Sequence, residues 1–138
     1  MVQLIDHFFL SMIPPTVTHQ EHSITVVGGK PRVYEKQQLK DARQKLTAYL
    51  SQHAPAAPIA GPVRIVVKWL FPSSARHKDG SYKTTKPDTD NLQKLFKDCM
   101  TVCGFWKDDA QVASEVVEKL WSDIPGIYVE IYKLEVEA

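Results

Sequence analysis

A chain of 138 residues, 43% hydrophobic and 24% charged, is long enough for one globular domain whose core needs no disulfide. No apolar run reaches the length of a membrane span, and the N-terminal MVQLIDHFFLSMIPPT has Asp6 inside its apolar stretch and no basic start, so it reads as neither a transmembrane segment nor a signal peptide and points to the cytoplasm. The net charge of +1 is unevenly spread. Residues 64–97 carry eight Lys/Arg against three Asp/Glu, and residues 98–138 three against nine. That pattern suits a protein that meets a polyanion with one surface, and equally a mixed solvated surface.

In chain order, residues 2–13 read as a first strand, ended by Pro14-Pro15, and His22 to Val27 as a second, followed by a turn at Gly28-Gly29. Lys30 and Arg32 beside that turn either meet phosphate or sit in water. Tyr34 to Gln52 is expected to be helical, with Leu39, Ala42, Leu46, Tyr49 and Leu50 on one face and Lys36, Lys40 and Lys45 on another. The proline-rich stretch from Ala54 to Pro62 reads as a rigid connection. Val63 to Phe71 is the clearest strand, with Val63, Ile65, Val67 and Trp69 pointing one way. The loop after Pro72 holds Arg76, His77, Lys78, Tyr82, Lys83 and Lys86 around Gly80. Such a loop can track a phosphate backbone and stack on an unpaired base, or be a mobile tip.

Asn91 to Cys103 is a second helix, with Leu92, Leu95, Phe96, Cys99, Met100 and Cys103 on one stripe and Gly104 as its stop. The two cysteines read as small core residues, because no further soft ligands stand near them in sequence. Gln111 to Trp121 fits helix or strand; β-branched content favours strand, with a hairpin at Asp123–Gly126 into a last strand over Ile127–Val136. The expected fold is a single α+β domain over residues 1–138, of order β-β-α-β-α-β-β, with two main helices packed on a mainly antiparallel or mixed sheet.

The chemistry lies between Lys86 and Gln111, which holds five aspartates. Asp88 and Asp90, one residue apart on extended backbone, would point the same way with Cα atoms about 7 Å apart. A helix from Asn91 to Cys103 travels about 20 Å, and an extended return from Gly104 covers about 17 Å, so Asp108 or Asp109 can arrive beside them. Three such carboxylates repel unless a hard divalent cation sits among them; Mg²⁺, with Mn²⁺ as a substitute, suits an all-oxygen donor set. Lys94, one turn past Asp90, can steady that carboxylate or stabilise a phosphate, and Asp98 reads as an exposed helix residue.

The pattern D-x-D-N-x-x-K, a helix, then G-F-W-x-D-D-x-Q resembles the RusA-type Holliday junction resolvases (crossover junction endodeoxyribonucleases); here it is Asp88, Asp90, Asn91, Lys94, Gly104, Phe105, Trp106, Asp108, Asp109 and Gln111. The resemblance implies a bacterial or phage-encoded homodimer that binds four-way DNA junctions in recombination and repair and nicks two strands symmetrically with Mg²⁺. It implies that Asp88, Asp90 and Asp109 bind the metal, with Lys94 as the essential lysine. Arg76, Lys78, Lys83, Lys86, Lys30 and Arg32 are the expected DNA-contacting residues, while no Lys or Arg precedes Lys30. Rival readings are a junction-binding module without catalysis and a different metal-dependent phosphoryl-transfer enzyme, the latter disfavoured because no GxxxxGK phosphate cradle is present.

Overall fold

The computed structural model describes the backbone of residues 1–18, 22–27, 30–35 and 37–135, and the side chains of 1–18 and 37–135. The elements run β1 (Gln3–Leu10), β2 (His22–Val27), β3 (Lys30–Glu35), α1 (Gln37–Ser51), β4 (Val63–Pro72), α2 (Thr89–Val102), a 3₁₀ turn (Asp109–Gln111), β5 (Val112–Ser122) and β6 (Gly126–Lys133). The fold is α+β, as expected. A four-stranded mixed sheet has the order β1-β6-β4-β5, and β2 with β3 forms a separate two-stranded ribbon. The expected Gly28-Gly29 turn lies outside the described residues.

Two local expectations change. Tyr34 and Glu35 belong to β3, where they pair with Ser23 and His22, so α1 starts only at Gln37. The sequence Lys30-Pro31-Arg32 looks like a break, yet in a two-stranded ribbon a proline forfeits little ladder bonding. The Asp123–Gly126 turn also makes no hairpin of adjacent strands. β6 pairs antiparallel with β4 and with β1, and β5 pairs parallel with β4 on the far side. β4 is apolar enough to take the centre, and the turn steps across it.

The parallel β4–β5 pair needs a crossover, and α2 supplies it. One face of the sheet is the core: Val63, Ile65, Val67, Trp69 and Phe71 of β4, Ile127, Val129 and Ile131 of β6, and Phe8 and Leu10 of β1. Leu39, Leu46 and Leu50 of α1 and Leu92, Leu95, Phe96 and Met100 of α2 cover it, all fully buried. The Trp69 and Phe96 rings meet edge to face at 5.2 Å. Cys99 and Cys103 are free thiols that reach the Arg43 and Thr47 carbonyls of α1 at 3.9 and 3.5 Å, and burial pushes both thiols up in pKa. They tie α2 to α1, in keeping with a core role. No helix among the described residues is long and apolar enough to cross a membrane.

Candidate active site

The helix that carries the first carboxylates begins earlier than its apolar stripe. Asp88, not Asp90, is the N-cap of α2, with extended backbone at φ −72° and ψ 150°, and its side chain makes no cap hydrogen bond. Asp90 therefore lies inside the first turn, where a negative charge is favoured by the helix dipole. The consequence for geometry is direct. Asp88 precedes the helix on extended backbone, while Asp90 is held by it. The pair therefore spans the junction between extended and helical backbone, and of the two only Asp90 lines the groove described below.

The expected chain reversal takes place at Gly104. Its φ of +83° puts it in the left-handed region that closes helices, with Phe105 N–H donating to the Met100 carbonyl (3.1 Å) and Gly104 N–H to that of Thr101 (3.0 Å). The returning segment is pinned by the buried Phe105 and Trp106, the latter donating its indole N–H to Thr101 Oγ1 at 2.7 Å. Asp108 and Asp109 then separate in role. Asp108 Oδ1 accepts from Ala110 N–H at 2.9 Å, and Gln111 closes the reciprocal half of a capping box. The Gln111 amide also donates to the Ile59 and Gly61 carbonyls at 2.9 and 3.0 Å, fastening the turn to the proline-rich connection. The Asp109 carboxylate is left without a hydrogen bond or ion pair among the described residues, and the residue lines a groove. Asp108→Ala is accordingly expected to cost about 1 kcal/mol of stability, the usual worth of a cap. Asp109→Ala should leave stability unchanged. Thermal denaturation compares them, and equal losses would contradict the division.

That groove, about 400 Å³, is lined by Asp90, Lys94 and Lys97 on successive turns of α2, with Thr89, Gln93, Asp109, Glu115 and Val117. Its volume can admit a nucleotide-sized group. Asp90, Lys94 and Asp109 thus share one surface; Asp88 and Asp98 do not line it. Glu115, Gln93 and Lys97 were not singled out by sequence. Gln93 and Lys97 sit three and seven residues after Asp90, a spacing that places them on its face. Glu115 could be placed only once β5 was known to lie parallel beside β4, which brings Glu115 to Gln93 and Lys97 of α2. Glu115 is engaged, accepting from Gln93 Nε2 at 2.9 Å and pairing with Lys97 Nζ at 3.0 Å.

The fit to a divalent cation is good in kind. The carboxylates at hand are hard oxygen donors, and the side chains of Asp88, Asp90 and Asp109 make no hydrogen bond or ion pair among the described residues, so their lone pairs are available. Their spacing is more open than a preformed site. Among the described residues no three His, Cys, Asp or Glu side chains lie close enough together to hold an ion.

The basic loop from Ser73 to Asp88 is a built structure, braced along the outer edge of β5. Gly80 N–H donates to the Trp121 carbonyl (2.8 Å), Trp121 N–H to Ser81 (2.8 Å), and Lys83 N–H to Lys119 (2.9 Å). His77 stacks on Trp121 at 4.1 Å, which gives this histidine a packing role. Lys83 departs from its expected part in DNA contact: it is 9% exposed, its ammonium lies over the Trp121 ring at 4.3 Å, and it donates to Thr85 Oγ1 at 2.6 Å. Burial, then the nearby Lys119 charge, lowers its pKa. Arg76, Lys78 and Lys86 are exposed, as is the Tyr82 ring at 65%. The side chains of Lys30 and Arg32 lie outside the described residues.

Lys119 is the strongest brace. Its ammonium donates to the Thr85 and Pro87 carbonyls at 2.8 and 2.7 Å, immediately before Asp88. β5 thereby governs both ends of the site: the turn that Asp109 opens leads into it, and its side chain at 119 holds the loop that delivers Asp88. Lys119→Met is expected to slow cleavage by about 10–100-fold, the scale of losses at outer-shell partners, with Lys119→Arg recovering part. Single-turnover cleavage at saturating DNA measures this, and a wild-type rate in the Met variant would show that the loop needs no such brace.

The family model described as Endodeoxyribonuclease RusA matches residues 13–132. The chain belongs to the RusA family of endodeoxyribonucleases. The match takes in every groove residue named above, including Asp90, Lys94 and Asp109. Among relatives, "Uncharacterized protein YqaN" of Bacillus subtilis is 33% identical over 118 residues, covering 78% of this chain and 82% of that one. The "Crossover junction endodeoxyribonuclease rusA" of Lactococcus phage r1t is 26% identical over 132 residues, 94% of this chain and 92% of its own. The "Crossover junction endodeoxyribonuclease RusA" of Escherichia coli K12 is 39% identical over 62 residues, 45% of this chain and 43% of its own.

Proposed function

We propose that the protein resolves four-way DNA junctions as a homodimer, by paired nicking that depends on a divalent cation such as Mg²⁺. The observation that carries this reading is selective availability. Asp90, Lys94 and Asp109 share a groove and are unpaired among the described residues, while their acidic neighbours Asp108 and Glu115 are spent on a cap and an ion pair. Family membership and relatives named as crossover junction endodeoxyribonucleases support the substrate class.

Asp88, Asp90 and Asp109 would hold the ion. Once bound, a divalent ion supplies a water of lowered pKa and neutralises charge on the phosphate during in-line displacement. The chain's own groups do the rest. Lys94 stands one turn beyond Asp90 to stabilise negative charge building on the phosphate oxygens. Arg76, Lys78 and Lys86 hold the strands through their phosphates, and Tyr82 offers a ring to an unstacked base. Asp108 and Gln111 keep Asp109 presented. Two copies related by a two-fold axis offer two equivalent grooves to a junction of similar symmetry, which is why paired incision suits a dimer.

The test is incubation with a synthetic four-way junction and with a linear duplex, each with and without Mg²⁺. Junction-selective, Mg²⁺-dependent nicking at two symmetric positions is expected. Cleavage of the linear duplex alone, or junction cleavage undiminished in a chelator, would overturn it.

A further inference from the structure

Lys97 occupies the same face of α2 as Lys94 and lines the same groove, yet the two differ in state. Lys94 has no ion-pair partner among the described residues; Lys97 Nζ lies 3.0 Å from Glu115 Oε2. The Glu115 end of this pair is anchored. Its other oxygen accepts from Gln93 Nε2 at 2.9 Å. Gln93 is only 2% exposed, and its Oε1 accepts from the indole N–H of the fully buried Trp69 at 2.9 Å. The chain of bonds thus runs from the core to the groove wall and ends on a lysine.

The two ends are unequal in freedom. Glu115 cannot move without stripping a buried amide of its partner, which is costly. Lys97 has a four-carbon stem, three donors on its ammonium and a side chain that is 23% exposed. At that exposure the pair is neither fully desolvated nor strong, so a second anion can compete for the ammonium. We propose that Lys97 is a second phosphate-gripping cation of the groove, kept in position and partly neutralised by Glu115. This rests on the endonuclease reading above and deepens it. The groove then meets a DNA backbone with two lysines one turn apart, one open and one held in reserve, and Glu115 sets how tightly the second one grips.

The two partners should therefore change DNA binding in opposite directions. Removing Lys97 removes a phosphate contact. Removing the charge of Glu115, with its shape kept, frees Lys97 and strengthens binding. An ion pair that only supports the fold would behave otherwise, since losing either partner would have the same effect.

The experiment measures affinity of the full-length protein for a four-way junction in EDTA, from 50 to 200 mM salt, for wild type, Lys97→Met, Lys97→Arg and Glu115→Gln. Lys97→Met is expected to lower the slope of log affinity against log salt by about 1 for each groove engaged, about 2 for a dimer on one junction, and to bind more weakly at the low-salt end by about 3-fold per groove. Lys97→Arg keeps the slope, which guards against a folding defect. Glu115→Gln binds more tightly than wild type. An unchanged slope in Lys97→Met overturns the proposal, as does weaker binding in Glu115→Gln. These results are separable from the endonuclease reading. Wild-type protein that binds linear duplex as well as the junction counts against junction selectivity, and the Lys97 slope is then read on the duplex. Wild-type protein that binds no DNA overturns both.

Discussion

The Asp90→Asn protein is expected to bind a four-way junction and fail to cut it. Asp90 lies in the first turn of α2, exposed to the groove and without a hydrogen bond or ion pair among the described residues. Neutralising it forfeits only its interaction with the helix dipole, roughly 0.3–1 kcal/mol, so the fold survives. Binding should also survive, because Lys94, Arg76, Lys78 and Lys86 are untouched and one negative charge leaves a DNA-facing surface. Cleavage is a different matter. An amide oxygen is a much poorer ligand for a hard cation than a carboxylate. Loss of even an outer-shell partner costs about 10–100-fold, so losing a direct ligand should cost more than about 100-fold. Gel shift in EDTA and cleavage in Mg²⁺ measure the two properties on one preparation. Normal cutting by the variant in Mg²⁺ would falsify the assignment of Asp90.

Phe96→Ala is expected to destabilise the protein severely while leaving every groove side chain in place. Phe96 is fully buried on the underside of α2, edge-on to Trp69. Truncating a buried Phe to Ala costs about 3–5 kcal/mol, from lost burial and the cavity left behind. That is a large share of the roughly 5–15 kcal/mol that holds a domain together. The damage would reach the groove, because Trp69 also carries the bond that fixes Gln93 and through it Glu115. A fall in melting temperature on the order of 10–20 °C is expected. Phe96→Leu, which nearly preserves volume, should lose far less. If Phe96→Ala melted within a few degrees of wild type, α2 would not depend on that contact.

α2 is legible in sequence because its apolar residues repeat with the helix period and Gly104 stops it. β4 is legible because its inward residues alternate over the whole strand. β3 is hidden, since a two-stranded ribbon tolerates a proline and charges that a central strand would not. The order of strands is hidden too. Local pattern gives a turn at Asp123–Gly126, but which strand lies beside which depends on the most apolar strand, β4, taking the middle. At the candidate site, the motif picks out Asp88, Asp90, Lys94 and the adjacent pair Asp108-Asp109, and the structure brings Asp90, Lys94 and Asp109 to one groove. The motif could not separate Asp108 from Asp109. That follows from a backbone turn at 109–111 that spends one carboxylate on its own N–H groups and leaves the other.

The residues that came only with the tertiary structure share one property: each acts through a partner remote in the chain. Lys119 reaches the carbonyls of Thr85 and Pro87, Glu115 meets Gln93 and Lys97, and Lys83 turns inward onto Trp121. No local spacing encodes such pairings, because they exist only after β5 has docked against β4 beside α2. By itself the sequence determined the fold class, the helix that spaces the carboxylates, the reversal that returns Asp109 and the family. The tertiary structure decided which carboxylates are free and which lysines are spent. It also started α2 two residues earlier than its apolar stripe, with Asp88 as the N-cap and Asp90 inside the first turn.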